Sequence, residues 1–296
     1  MKYVLAGASG FLGTALARDL LAAGHQVTRL VRRTPVSSDE LEWDPAAGQL
    51  DLTGLAGVDV IVNLAGANIG RPWTPVYRKT IRESRVRTTA TLAEAAAQLD
   101  SKPVFLTQSG IGGYGMDCGD DILTEASPLG EGFLADVVRV WEGAAAPARE
   151  AGCRVVSLRT GVVLGRQAPA FQLLALPFRL GVGGRLGSGT QYFPVVSLPD
   201  WLRAVRHAAE HDAVEGPVNI TLPTPITNRT FTRSLASQLH RPALVPVPAA
   251  VMTTFLGEFA WELLGSKRAL PTALQTTGFT FSHPTPQQAV SAALAH

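Results

Sequence analysis

The sequence is poor in the residues that mark disulfide-linked, metal-binding and nucleic-acid-binding proteins. Its 296 residues include only two cysteines, Cys118 and Cys153, which argues against a disulfide framework and fits a reducing compartment. The six histidines are scattered without the spacing of metal ligands, so no metal site is expected. A formal net charge of only +2 argues against nucleic acid or an anionic membrane surface as a partner.

Long hydrophobic runs are missing as well. The most apolar late segment, residues 249–264, is too short to span a bilayer and contains Glu258 and Glu262. The chain opens with Met1-Lys2 and passes straight into an apolar stretch, which predicts no cleavable export signal. We therefore expect a cytoplasmic globular protein, with 46% hydrophobic residues to build its core.

A glycine-rich turn near the N-terminus is the most informative feature of the sequence. Residues 3–6 form an apolar run typical of a buried strand, and the glycines that follow are spaced G-x-x-G-x-x-G. A helix with Leu12, Leu16 and Leu20 on one face comes next, which completes the first half of a dinucleotide-binding unit. Glycine lets the backbone approach a pyrophosphate, and the helix N-terminus offers it free N–H groups. The alternative is a tight strand–helix turn without a ligand.

The end of the second predicted strand indicates which dinucleotide would bind. An acidic residue at this place would bond the ribose hydroxyls of NAD, whereas here Val31 is followed by Arg32 and Arg33. A guanidinium suits a 2′-phosphate, so the pattern favours NADP(H). Two solvated surface arginines are the alternative interpretation.

Strand and helix patterns alternate along the first two thirds of the chain. This alternation predicts an α/β fold, a Rossmann-like parallel sheet with helices on both faces, followed by a smaller C-terminal substrate lobe. We expect residues 1–165 to form the nucleotide domain, with its sheet completed by about 190–225. Residues 166–189 and 226–296 would form the substrate lobe. The small residues Ala65 and Gly66 after one strand leave room for a cofactor, and Arg85 on the next helix would lie near its cleft.

Several motifs along nearly the whole chain carry a resemblance to a known family. They are Gly7–Gly13, Val62–Gly66, Trp73-Thr74, Ser84-Arg85, Thr88-Thr89, Thr124–Pro128, Trp141-Glu142, Leu158–Gly165, Leu186–Gly189 and Arg241-Pro242 through Gly278-Phe279. With these motifs the chain resembles the atypical extended short-chain dehydrogenases/reductases, in the branch related to nucleoside-diphosphate-sugar epimerases. The resemblance implies a Rossmann-like domain, a C-terminal substrate lobe and bound NADP(H). The turn and the resemblance together give the expected cofactor-binding residues: Gly7, Ser9, Gly10, Phe11, Leu12, Gly13, Arg32, Leu64, Ala65, Gly66, Arg85 and Val163.

The catalytic pair of that superfamily is absent from the sequence. Typical members use a Tyr-x-x-x-Lys pair for proton exchange, but Phe133 and Val137 stand at those positions here. Ser109 is the candidate that survives from the usual set, and Tyr114 in the following loop is a conceivable substitute. The alternatives are a strand-end serine satisfied by backbone groups and a tyrosine packed in the interior.

Two functions remain open at this point. The first is an NADP(H)-dependent oxidoreductase or epimerase that acts on a small polar substrate, with a nucleotide sugar as one candidate. The second is a catalytically inactive NADP(H)-binding sensor or interaction protein, as the missing pair suggests. A small molecule is the expected partner, a homodimer stays an open alternative, and Lys267 is among the cations that could meet an anionic substrate.

Overall fold

The computed structural model describes residues 1–295 of the chain. In chain order its strands and helices are β1 (Lys2–Ala6), α1 (Phe11–Ala22), β2 (Gln26–Val31), β3 (Glu40–Asp44), β4 (Gln49–Leu50), β5 (Val60–Asn63), α2 (Pro75–Gln98), β6 (Val104–Gly110), β7 (Ile122–Leu123), α3 (Phe133–Gly143), α4 (Ala146–Glu150), β8 (Val155–Thr160), β9 (Val162–Leu164), α5 (Pro169–Arg179), β10 (Val195–Ser197), α6 (Leu198–Glu210), β11 (Gly216–Ile220), α7 (Asn228–Gln238), α8 (Ala249–Leu256), α9 (Trp261–Leu264), β12 (Arg268–Ala269), α10 (Thr272–Thr276) and α11 (Pro286–Ala295). Within this range no helix is both long enough and apolar enough to cross a membrane.

Eight strands form one sheet in the order β11-β8-β6-β5-β1-β2-β3-β4. Every neighbouring pair is parallel except β3 with β4. The order reverses between β1 and β5, because the chain moves outward from β1 in one direction and later returns to continue in the other. Such a switch point opens a crevice at the carboxyl ends of the two central strands. The predicted Rossmann-like α/β fold is confirmed.

Helices cover both faces of this sheet, as its central strands require. One core packs Leu16 and Leu20 of α1 with Trp201 of α6, and the other packs Leu92 of α2 with Ala148 of α4. Burial on both faces explains why the central strands have continuous apolar sequences rather than alternating ones. Two long helices begin where polar side chains cap them: Thr74 accepts a hydrogen bond from the Tyr77 amide, and Ser197 accepts one from the Asp200 amide.

The apolar run at 154–164 forms two strands, β8 and β9. β8 stays in the main sheet, whereas β9 leaves it and pairs with β10. The break is at Gly161, where a Cβ atom would lie 2.6 Å from the Pro194 oxygen. The helical stretch at 133–151 is likewise interrupted after Gly143, which divides it into α3 and α4.

A third core lies beyond this break and is built from α5, α7 and α11. Its largest members are Phe171, Phe193 and Phe231. Phe11, at the start of α1, packs against both this core and the first one. The division into a nucleotide domain and a substrate lobe stays a prediction. The last residue of the predicted lobe, His296, lies outside the described residues.

Candidate functional site

The glycine turn between β1 and α1 lies against the end of β5. Gly7 has φ of +79°, and a Cβ atom there would lie 2.7 Å from the Leu64 carbonyl carbon. At Gly13 a Cβ atom would lie 2.2 Å from the Gly7 oxygen. The fold itself therefore requires glycine at both positions.

Gly10 differs from these two glycines. Its φ of −77° is open to any residue, and the nearest atom to a Cβ there would be the Gly7 oxygen at 3.4 Å. Ser9 and Gly10 are both exposed at the crevice. α1 begins at Gly10 without a capping side chain and without an acid in its first turn. The first N–H groups of α1 are thus free to meet an anion, and a side chain at Gly10 would compete for the same space.

The next residues of the turn anchor it in the interior. The Phe11 ring lies beside Gly165, where a Cβ atom would be 2.9 Å from the ring, and Leu12 is partly buried in the first core. The side chains of Phe11 and Leu12 pack against the interior, so any contact of these residues with a ligand comes chiefly through their backbone.

Arg32 and Arg33 follow β2 and have different environments. Arg33 makes two 2.8 Å hydrogen bonds to the Glu40 carboxylate and one to the Thr34 oxygen. Arg32 is exposed and has no acidic partner within salt-bridge distance among residues 1–295. Arg32 is therefore the cation of this pair that is free to bind a phosphate.

Arg85 projects from α2 toward the backbone after β5. A Cβ atom on Gly66 would lie 3.3 Å from its guanidinium carbon, which sits 4.9 Å from the centre of the Trp141 ring. Burial lowers the pKa of Arg85 to about 10, so the group stays cationic at neutral pH. Its hydrogen bond goes to the Ile81 oxygen, and no carboxylate pairs with it in the described part of the chain. A buried cation without a counter-charge suits an anionic or electron-rich ligand.

Val163 is placed less favourably than the other predicted cofactor residues. Its side chain is buried in the first core, on β9 beside Val196. Only the backbone of Val163 could face a ligand in the crevice. Its contact with the cofactor stays a prediction.

Ser109 is buried near the carboxyl end of β6. Its hydroxyl donates a 2.6 Å hydrogen bond to Glu142, whose carboxylate also forms a two-point ion pair with Arg159 at 2.8 Å. Burial opposes the charge of Arg159, but Glu142 outweighs this effect and raises the pKa of the guanidinium. Ser109 therefore belongs to a buried polar network, and its role in catalysis stays a prediction.

Tyr114 is also part of this network. Its side chain is 4% exposed, and its hydroxyl lies 2.9 Å from the Thr124 oxygen, 2.8 Å from Asn219 Oδ1 and 3.1 Å from an Arg159 nitrogen. Burial raises the pKa of Tyr114 despite the nearby Arg159, so the phenol keeps its proton at neutral pH. The alternative of a packed interior tyrosine fits this environment better than a catalytic one.

A small cleft lies beside this network, where the chain leaves β6. Aromatic rings of Trp73, Phe133 and Trp261 line it together with Met116. Its acidic lining consists of Glu131, Glu258 and Glu262. Phe133 stands under the Arg78 guanidinium at 4.8 Å and meets Trp73 edge to face. Val137, one turn further along α3, is buried. Phe133 and Val137 stand where typical superfamily members have Tyr and Lys, and both side chains serve packing here.

A sequence model described as the NAD dependent epimerase/dehydratase family matches residues 3–221, most of the chain. The chain belongs to this family. A second model, described as a domain of unknown function (DUF1731), matches residues 247–293. The resemblance seen in the sequence is confirmed.

Curated relatives within this family match at full length. The chain is 40% identical over 289 residues to the epimerase family protein ML0860 of Mycobacterium leprae, covering 97% of this chain and 94% of the relative. It is 37% identical over 290 residues to the human epimerase family protein SDR39U1, covering 96% of each.

Solved structures of family members share the fold. The crystal structure of human SDR39U1 (isoform 2) with NADPH gives a TM-score of 0.90 at 34% identity and covers 100% of both chains. The nucleoside-diphosphate sugar epimerase from Corynebacterium glutamicum gives a TM-score of 0.83 at 34% identity, covering 99% of this chain and 58% of that one.

Several residues of the site were not predicted from the sequence. Glu142, Arg159 and Asn219 hold Ser109 and Tyr114, and period-2 alternation along β6 could have placed Ser109 on the buried face with Thr107. No sequence signal connects Glu262 with the loop after β6, because the contact is long-range. Residues 1–295 contain no group of three His, Cys, Asp or Glu side chains placed to hold a metal ion.

Proposed function

We propose that this chain is an NADP(H)-dependent oxidoreductase or epimerase that acts on a small polar substrate, with a nucleotide sugar as one candidate. The observation that carries the proposal is the lined cleft at the exit of β6, in a fold whose first turn is built for a dinucleotide. A protein that only binds a dinucleotide has no need of a second, separately lined cleft.

The residues present fit NADP(H). The Gly7–Gly13 turn and the uncapped start of α1 would hold the pyrophosphate, and Arg32 would bind the 2′-phosphate. Arg85 would gain the counter-charge that it lacks. Human SDR39U1, which shares this fold at 34% identity, was crystallised with NADPH, and this supports the same cofactor here.

The chain's own residues would bind and orient the substrate. When bound, the cofactor would accept or donate a hydride. The Trp73, Phe133 and Trp261 rings would exclude water from one side of the cleft, and its glutamates would hydrogen-bond substrate hydroxyls. Oxidation of an alcohol also requires removal of the hydroxyl proton, and the hydroxyls of Ser109 and Tyr114 are both engaged in hydrogen bonds with interior groups.

An inactive NADP(H)-binding sensor is the second candidate. It is favoured by one specific observation: Phe133 and Val137 replace the usual pair, and Tyr114 is locked in the interior. Turnover of any substrate by the purified protein would exclude this candidate.

Titration with NADPH and NADH tests the cofactor assignment. We expect NADPH to bind at least about tenfold more tightly, and Arg32→Ala to remove most of that preference, because a charge-assisted contact contributes roughly 1.5–3 kcal/mol. Arg33→Ala is the matched control and should leave most of the preference in place, since its guanidinium is committed to Glu40. Equal affinities in the wild type, or an unchanged preference in Arg32→Ala, would refute the assignment.

A further inference from the structure

The three glutamates of the cleft have different surroundings. Glu258 is neutralised by an ion pair with Arg78, and Glu131 lies at the exposed rim. Glu262 is the one whose ion-pair partner, Lys267, is buried. Its Oε1 lies 3.5 Å from Lys267 Nζ, whereas its Oε2 accepts no hydrogen bond from any group in residues 1–295.

Oε2 of Glu262 faces the loop that leaves β6. A Cβ atom on Gly112 would lie 3.0 Å from it and 3.1 Å from the Leu134 side chain, so this oxygen approaches the glycine of the loop beside Leu134 of α3. Phe133 lines the same cleft. A carboxylate carried by the C-terminal segment therefore reaches the part of the cleft where Phe133 stands in place of the usual tyrosine.

Lys267 holds Glu262 in this place. Its side chain is 2% exposed, and its Nζ has a second contact with the Met116 oxygen at 3.4 Å. The Lys267 amide donates to the Tyr192 oxygen, which fixes the backbone beside β10. A buried ammonium ion needs a counter-charge, so Lys267 and Glu262 constrain each other. Lys267, expected from the sequence to be available for an anionic substrate, is committed to Glu262 instead.

We propose that Glu262 is the proton-transfer group of this cleft and that Lys267 is its positioning residue. This inference rests on the proposed function. In the oxidation of an alcohol, the hydroxyl O–H bond breaks and its proton goes to Glu262 Oε2. The carbon loses its hydrogen together with the bonding electron pair to NADP⁺, and the C=O bond forms. In the reverse direction the protonated Glu262 returns the proton to the carbonyl oxygen. Charge and electrons balance with the cofactor as the only redox partner.

The other acids near the crevice are already committed. The Glu125 carboxylate accepts hydrogen bonds from the Asn219 and Ala273 amides, and Glu142 is occupied by Arg159 and Ser109. Asp117 accepts from the Ser266 and Gly119 amides. These three carboxylates do not line the cleft, whereas Glu262 does.

The test uses full-length protein, either with NADPH and a panel of hydroxyketones and cyclic ketones or with NADP⁺ and a panel of nucleotide sugars, and its signals are cofactor absorbance and product chromatography. We expect Glu262→Gln to lower kcat at least about 100-fold, the loss typical of a removed general acid or base. Its Kd for NADPH and its unfolding temperature should stay close to those of the wild type. The limb of the kcat–pH profile that reports the group should disappear in the variant.

Two further variants separate chemistry from structure. Lys267→Met should lower kcat and change the same limb of the pH profile, and Lys267→Arg should recover part of the rate. Glu83→Gln is the matched control, because Glu83 has a comparable ion pair with Lys79 at 3.7 Å on the surface of α2. It should have wild-type kinetics.

The outcomes distinguish this inference from the function on which it rests. Wild-type turnover that survives Glu262→Gln within about threefold overturns the inference and leaves the oxidoreductase assignment intact. A wild type that binds NADPH but converts no member of the panel overturns both and favours the sensor.

Discussion

Replacing Tyr114 with Phe separates two roles for a residue that the sequence suggests as a catalyst. The change removes one hydroxyl and leaves the ring, its volume and its packing in place. In the structure that hydroxyl is surrounded by Asn219, Thr124 and Arg159, all within 3.1 Å. The substitution therefore exposes the cost of leaving buried partners unsatisfied rather than the loss of a proton-transfer group.

The magnitude follows from the number of partners. Leaving buried polar atoms without a hydrogen bond costs about 1–3 kcal/mol, and Arg159 keeps its bonds to Glu142. Unfolding entropy is about 2.1 cal/mol/K per residue, or about 0.6 kcal/mol/K for a chain of this length. Tyr114→Phe should accordingly lower the unfolding temperature by about 2–5 °C.

Thermal unfolding and NADPH titration of the variant are the two measurements. We expect a lower unfolding temperature, an NADPH affinity within about twofold of the wild type and, with any substrate, a nearly unchanged kcat. Tyr3→Phe is a control for the loss of a ring hydroxyl in general, because the Tyr3 hydroxyl has only a distant contact with the Met1 sulfur at 3.8 Å. If Tyr114→Phe kept full stability and lost turnover, Tyr114 would be catalytic and our interpretation of the network would be wrong.

Two other predictions concern cofactor binding and pH. Gly10→Val should abolish NADPH binding in a protein that remains folded by circular dichroism. Gly13→Val should instead disrupt the fold, because a Cβ atom there would meet the Gly7 oxygen at 2.2 Å. Normal NADPH binding by folded Gly10→Val would show that the turn is only structural. Burial, together with the neighbouring His211 and Arg203, lowers the pKa of His207 below its usual 6.5, so the unfolded chain binds the extra proton more readily. The contribution of His207 to the free energy of unfolding should be fully present above pH 6.5 and be lost as the pH drops through the pKa of His207 in the folded state. Denaturant titrations of His207→Gln should therefore show a weaker dependence of that free energy on pH.

Local signals predicted much of the architecture. The glycine spacing before α1, the Thr74-Pro75 start of α2 and the Ser197 cap of α6 each depend on neighbours within a few residues. Such features are visible in sequence because the physics that produces them is local. The strand order and the crevice follow from them through the handedness of parallel crossovers.

The unpredicted features depend on contacts between distant parts of the chain. The break at Gly161 is invisible in an apolar run, since its cause is the approach of Pro194. Ser109 and Tyr114 have the residue types of catalysts, and only their neighbours Glu142 and Asn219 reveal their structural environment. Lys267 looks like a surface cation until its contact with Glu262 is known.

The shared position of Phe11 has a consequence for how the molecule unfolds. Its ring belongs to two cores at once, one under the main sheet and one built from α5, α7 and α11. Unfolding of either core would remove the packing contacts on one side of the Phe11 ring and destabilise the first turn of α1. The two cores should therefore melt in a single cooperative transition, and a ligand held at the start of α1 should raise the melting temperature of both together.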